Sequence, residues 1–155
     1  MGELSHREKF YSGEKKMKKA LVAMSGGVDS SVAAVFMKEK GYDVTGVTMK
    51  LYNNEDIHMS QEKTCCSSSD IEDARSIAQK LDFPYHVVNF KAQFKEKVMD
   101  KFVKCYQCGI TPNPCVDCNR YLKFHALDKR AQELGCELIV TGHYARIRYN
   151  EQTGK

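Results

Sequence analysis

No apolar run in this 155-residue chain approaches the roughly 20 residues a helix needs to span a bilayer. A membrane partner is therefore not expected. The first twenty residues, MGELSHREKFYSGEKKMKKA, lack the apolar core of a secretory leader. Without a leader, an odd count of seven cysteines argues against a secreted disulfide framework. The expected compartment is the cytoplasm, where such cysteines serve as core residues, metal ligands or nucleophiles. Charge of one sign is also in short supply. A formal net charge of +4 permits an RNA partner without arguing for one. What remains is an ordinary soluble composition, 42% hydrophobic and 28% charged, at a length that suits one domain. Residues 1–17 read as a flexible polar extension that ends in a solvated basic run, and residues 18–155 as the folded domain.

Two familiar phosphate loops are missing as well. There is no G-x-x-x-x-G-K-[ST] and no G-x-G-x-x-G. Instead the chain carries AMSGGVDSS from Ala23 to Ser31. A short apolar run, Ala20 to Met24, reads as a buried strand before it. The apolar-periodic stretch Val32 to Met37 reads as a helix after it. Adjacent Gly26 and Gly27 let the backbone turn sharply and approach a ligand closely. The free N–H groups and positive dipole end of the following helix make a ready anion site. Strand, glycine turn and helix start together predict a phosphate cradle, against the plain alternative of a Ser/Gly-rich turn with an Asp near an N-cap. The pattern S-G-G-x-D-S resembles the PP-loop of ATP pyrophosphatases, which cut ATP between its α and β phosphates.

Further along, Gly41 stands where a helix C-cap glycine belongs, and Tyr42 to Met49 reads as the next strand. Lys50 to Ser68 is polar and irregular and holds Cys65 and Cys66. Ser69 to Glu72 matches a capping box that opens a helix through Leu81. Tyr85 to Phe90 is a third strand, Ala92 to about Val103 a helix, and Cys105 to Cys118 a loop. A helix from Asn119 to Leu134 is closed by Gly135. Glu137 to Thr141 is a strand that ends in Gly142 and His143, and Ala145 to Tyr149 begins a hairpin. This alternation predicts an α/β fold, a parallel sheet with helices on both faces. In such sheets ligands bind beyond the carboxyl ends of the strands. The glycine turn, Met49, the Cys65–Cys66 loop and Gly142–His143 all fall on that rim.

The cysteine loop admits two readings. Cys105-x-x-Cys108 and Cys115-x-x-Cys118 are six residues apart, short of the roughly 15–20 usual between the halves of a zinc knuckle. A four-thiolate zinc or iron–sulfur site is one reading. The other is a reactive thiol at Cys118, just ahead of a helix starting at Asn119, where the helix end and nearby Arg120 and Lys123 would lower its pKa. Cys136 reads as core, Cys105 as a helix-end core residue, and His58, His86 and His125 as surface or packing residues. A rim histidine satisfied by its neighbours is the plain reading of His143.

Five segments together resemble the tRNA-specific 2-thiouridylase family: AMSGGVDSS (23–31), GVTMK (46–50), CCS (65–67), GITPNPCVDCNRYLKF (109–124) and TGHYARI (141–147). The resemblance implies an adenine nucleotide alpha hydrolase-like (PP-loop) fold. It also implies an enzyme that adenylates the C2 oxygen of the wobble uridine of tRNA and then delivers sulfur from a cysteine persulfide. It would use ATP and Mg2+, take tRNA as partner and draw on a persulfide sulfur-donor protein. By position, Ala23, Met24, Ser25, Gly26, Gly27, Val28, Asp29 and Ser30 would hold ATP, with Met49 and Gly142 lining the adenosine site. Asn113, Pro114 and Cys115 would meet the target base, His143 would face the tRNA, and Cys118 would be the first catalytic cysteine. The second catalytic cysteine lies downstream in the family, so the chain is expected to represent the N-terminal domain only. It would then bind ATP without completing thiolation. Cys115 stands where some members have Asp, so Cys115 and Cys118 are also candidate iron–sulfur ligands, completed by that downstream cysteine. Two other functions stay open: another PP-loop adenylating enzyme, and a small zinc-binding RNA module without catalysis.

Overall fold

The computed structural model describes residues 17–52 and 68–146. Expectations for residues 1–16, His58, Cys65, Cys66 and the hairpin beyond Arg146 lie outside these. Among the described residues, four strands form one parallel sheet in the order β3-β2-β1-β4. They are β1 (Lys19–Ala23), β2 (Asp43–Lys50), β3 (Tyr85–Asn89) and β4 (Leu138–Val140). Helix α1 (Val28–Glu39) joins β1 to β2, and α2 (Ser68–Lys80) precedes β3. Between β3 and β4 run two longer helical stretches. The first comprises α3 (Lys91–Phe94), a π-helical segment (Lys95–Met99) and α4 (Asp100–Gln107). The second comprises α5 (Pro114–Cys118), a π-helical segment (Asn119–Ala126) and α6 (Leu127–Glu133).

The sheet is covered on both faces, and β1 shows why. Successive strand side chains point to opposite faces. Leu21, fully buried, joins one core with Val47, Met49, Phe90, Val98, Leu122 and Leu127. Val22, also fully buried, joins the other with Met24, Ala34, Val44, Ala74, Ala78 and Phe83. The second core is roofed by α1 and α2, the first by the stretches 91–107 and 114–133. Apolar runs of this kind mark strands buried on both sides. On α1, Val28, Val32 and Phe36 stay exposed, so the apolar periodicity there covers more of the helix than the core does. The α1 and α2 helices are tied at their far ends, where Lys38 Nζ donates to the carbonyls of Leu81 (2.6 Å) and Asp82 (2.7 Å).

From β1 the chain moves outward through β2 to β3, then crosses back to lay β4 on the other side of β1. The order reverses at β1, and the crevice beyond the carboxyl ends of β1 and β4 is the place where such sheets bind ligands.

Local boundaries differ from the sequence expectations in three places. Ser69 lies inside α2 rather than at its N-cap, since the helix is already formed at Ser68. The helix from Lys91 extends to Gln107, so Cys105 is helical and half-buried rather than in a loop. The other long helix begins at Pro114, not Asn119. Asn113 Oδ1 accepts from the Val116 N–H at 3.3 Å, and proline takes the first helical position, where its missing N–H costs nothing. Gly41 and Gly135 both take positive φ at helix ends, as expected.

Thr48 is a fully buried polar residue of β2. Its hydroxyl donates to the Met24 carbonyl at 2.7 Å and accepts from the Tyr85 hydroxyl at 2.7 Å. This relay holds the last residue before the glycine turn. Replacing Thr48 by Val keeps the shape and removes the hydroxyl, leaving the Met24 carbonyl without that donor. The expected loss is about 1–3 kcal/mol of unfolding free energy, measured by urea denaturation.

Candidate functional site

The site begins where β1 ends. Ser25 to Gly27 form the turn and α1 starts at Val28. Gly26 has φ of +77°, the left-handed region that disfavours side chains. Space forbids one as well: a Cβ there would sit 2.6 Å from the Asp70 carbonyl oxygen and 2.7 Å from its Cα. The first turn of α2 thus leans directly on the glycine turn. The turn is closed from inside by Ser30, which is almost fully buried. Its hydroxyl accepts from the Ser25 N–H at 3.2 Å and donates to the Gly27 carbonyl at 3.0 Å. Ser31 donates to the same carbonyl at 2.8 Å. Ser25, Gly27, Val28 and Asp29 face solvent.

The exit of β4 reaches this turn from the other side. A Cβ on Gly142 would lie 2.8 Å from the Ser30 nitrogen and 3.1 Å from Asp29, so backbone meets backbone there. Two residues on, the Tyr144 hydroxyl donates to Asp29 Oδ1 at 2.6 Å. That carboxylate holds the phenol's pKa above its ordinary value, first through the hydrogen bond and then through its charge. His143 Nδ1 is 2.8 Å from the Thr141 hydroxyl, and its ring lies 5.7 Å from that of Phe124. The ring contact links the rim to the helical stretch that carries the cysteines.

In that stretch Cys115 and Val116 point outward, while Cys118 is half-buried and packs on the core beneath the sheet. Asp117, between the cysteines, is buried and paired to Lys101 Nζ at 2.6 Å. That bond raises the Lys101 pKa and clamps α5 against 91–107. Because the helix begins at Pro114, Cys118 ends its opening segment and does not stand ahead of it. The helix-end argument for its reactivity falls away; Cys115, one residue past Pro114, is the cysteine nearer that end. Cys136 is buried, and burial pushes its thiol pKa up, in line with a core role.

Among the described residues, no three His, Cys, Asp or Glu side chains are grouped to hold a metal ion. Cys105, Cys108, Cys115 and Cys118 therefore build no four-thiolate site, which corrects the zinc reading of the loop. His86 and His125 are exposed, as expected. Met24 and Met49 are buried at 3% and 6% exposure, in opposite cores, so a ligand at the rim would meet chiefly their backbone. Asn113 is exposed and caps α5, with half-buried Pro114 behind it. The structure thus brings 23–30, Gly142, His143 and Tyr144 together on one rim. The segment TGHYARI carries Tyr144, but no local signal pairs it with Asp29 or places Asp70 against Gly26, since those partners lie far along the chain.

Among the described residues, no helix is long and apolar enough to cross a membrane. A family profile described as "tRNA methyl transferase HUP domain" matches residues 18–155. Curated relatives include the tRNA-specific 2-thiouridylase MnmA of Clostridioides difficile, 51% identical over 138 residues, covering 89% of this chain and 38% of the relative. The MnmA of Lachnoclostridium phytofermentans is 57% identical over 132 residues, covering 84% and 37%. The chain thus spans little more than a third of the length of these relatives. Among solved structures, an NMN synthetase from Francisella tularensis aligns with a TM-score of 0.51 at 18% identity, covering 79% of this chain and 44% of that one. A glutamine-dependent NAD+ synthetase from Acinetobacter baumannii aligns with a TM-score of 0.55 at 16% identity, covering 78% and 21%. At these identities the likeness shows the fold alone.

Gly26→Ala would combine a positive φ with contact against the α2 backbone. The expected cost is about 1–3 kcal/mol or more. Chemical denaturation checks it, with Gly41→Ala as control, since its φ is also positive but nothing lies within 4 Å.

Proposed function

Because the chain belongs to the tRNA methyl transferase HUP domain family, we propose that it supplies the ATP-binding and sulfur-carrying part of a tRNA uridine 2-thiolation. The observation that carries this reading is the meeting of the β1 turn and the β4 exit at Gly26, Ser30 and Gly142. Backbone from two strands approaches there with no room for a Cβ, beside the start of α1. Such a place suits polyphosphate, whose oxygens are met by main-chain N–H groups and the positive helix end. Ser25, Gly26, Gly27, Val28, Asp29 and Ser30 would cradle the phosphates. Ala23, Met24, Met49 and Gly142 would border the adenosine, the buried methionines by their main chain.

ATP would supply AMP to the C2 oxygen of the wobble uridine, turning a poor leaving group into a good one. Cys118 would present the sulfur as a persulfide, since a polarizable thiol suits covalent transfer. Its packing on the core and the Asp117–Lys101 clamp would hold it still. Asn113, Pro114 and exposed Cys115 form an outward face suited to the target base, and His143 lies on the same rim for the tRNA. The relatives are named as 2-thiouridylases, and a chain with free cysteines at 115 and 118 suits sulfur transfer better than methyl transfer. The persulfide donor would be a separate protein, and the setting the cytoplasm. An iron–sulfur cluster on Cys115 and Cys118 would need ligands from outside the described residues, and no step is built on it.

Calorimetry with ATP and Mg2+ tests the cradle. Saturable binding is expected, and Cys118→Ser should leave its affinity unchanged. In cells carrying Cys118→Ser on the chromosome, mass spectrometry of digested tRNA should show 2-thiouridine lost. Persistence of the modified nucleoside would place the nucleophile elsewhere.

A further inference from the structure

Tyr144 has no part in the reading above, yet its geometry is specific. The residue is 88% exposed, so burial does not hold it in place. Its phenol nevertheless reaches across 115 positions of sequence to donate to Asp29 Oδ1 at 2.6 Å. The segment bearing it is held at two further points, Gly142 against the start of α1 and the His143 ring on Phe124, and is bonded within itself from His143 to Thr141. A hydrogen bond to an ionised carboxylate is of the stronger kind. Left alone, an exposed aspartate at a helix start would sample several rotamers.

Asp29 stands in the first turn of α1, beside the glycine turn. Among the described residues no three ligating side chains are grouped into an all-protein cage for a cation. Magnesium commonly keeps several waters and binds through one or two carboxylates plus the phosphates of its nucleotide. A single exposed carboxylate next to a phosphate turn fits that pattern. Each carboxylate oxygen has two lone-pair sites, so Asp29 can accept from the phenol and still face a cation.

We propose that Tyr144 is a positioning residue for the magnesium-bearing nucleotide, its phenol fixing the Asp29 carboxylate toward the cation. The proposal rests on the ATP reading of the rim. Tyr144 touches neither phosphate nor base in this role. It acts through Asp29, as outer partners of metal ligands do, and loss of such partners typically weakens metal affinity by about 10–100-fold.

The test is ATP calorimetry on the full 155-residue chain, once with saturating Mg2+ and once with EDTA, for wild type, Tyr144→Phe, Asp29→Asn and the double variant. Tyr144→Phe should weaken binding about tenfold with Mg2+ and leave it unchanged in EDTA. In the Asp29→Asn background the same change should have no further effect. Equal weakening in both conditions would make the phenol a general scaffold and overturn the proposal. Tighter binding with Mg2+ would make it a competitor of the cation and overturn it too, as would no change. Those outcomes leave the ATP reading standing. Absence of ATP binding by the wild-type chain in both conditions would overturn both.

Discussion

The whole rim depends on how closely three backbones approach one another around Gly26 and Gly142. The first turn of α2 lies against the glycine turn, and the β4 exit lies against the first turn of α1. A single methyl group at either contact would sit closer than van der Waals packing permits. The start of α1 thus meets the β4 exit directly, with no side chain between them. The buried Ser30 hydroxyl and the Tyr85–Thr48–Met24 relay make the turn rigid.

Topology also fixes where the second group of residues lies. The sheet order reverses at β1, so the crossover from β3 to β4 covers the face opposite α1 and α2. The cysteine helix is part of that crossover. Its inner side is committed to the core through Leu122 and to an ion pair through Asp117. An ion pair with a largely buried carboxylate contributes more to position than to net stability, because desolvation offsets much of the attraction. What it leaves outward is Asn113, Cys115 and Val116, while Cys118 is half sheltered. The Phe124–His143 ring contact joins this helix to the β4 exit. Glycine turn and cysteine helix are thus both tied to the β4 exit, although about ninety residues separate Ser25 from Cys115 along the chain.

Much of this was legible in the linear sequence, because it is local. Alternating apolar strands and amphipathic helices prescribed a parallel, doubly covered sheet, with strand ends placed within a residue or two. Gly41 and Gly135 were marked as helix-closing glycines by their neighbours alone, and both take positive φ. Ser25 to Ser30 marked the turn. The boundary that differs most is the helix expected to start at Asn119, whose first turn instead begins at Pro114. An Asn followed by Pro is equally a cap with its first helical residue, and here that governs where Cys118 stands.

What only the tertiary structure decided is every contact made across the chain. The Cys105–Cys108 and Cys115–Cys118 pairs look like halves of one metal site on paper, but the helices carrying them do not group their thiols. Lys101 finds Asp117, Asp70 closes on Gly26, and Tyr144 finds Asp29. None of these pairings leaves a periodic or spacing signal, because each is set by how the layers pack rather than by local backbone preference. The sequence alone thus determined a glycine turn between a strand end and a helix start. The packing of β4 and α2 against that turn decided its shape and which side chain holds Asp29, since non-local contact is fixed only when the layers close.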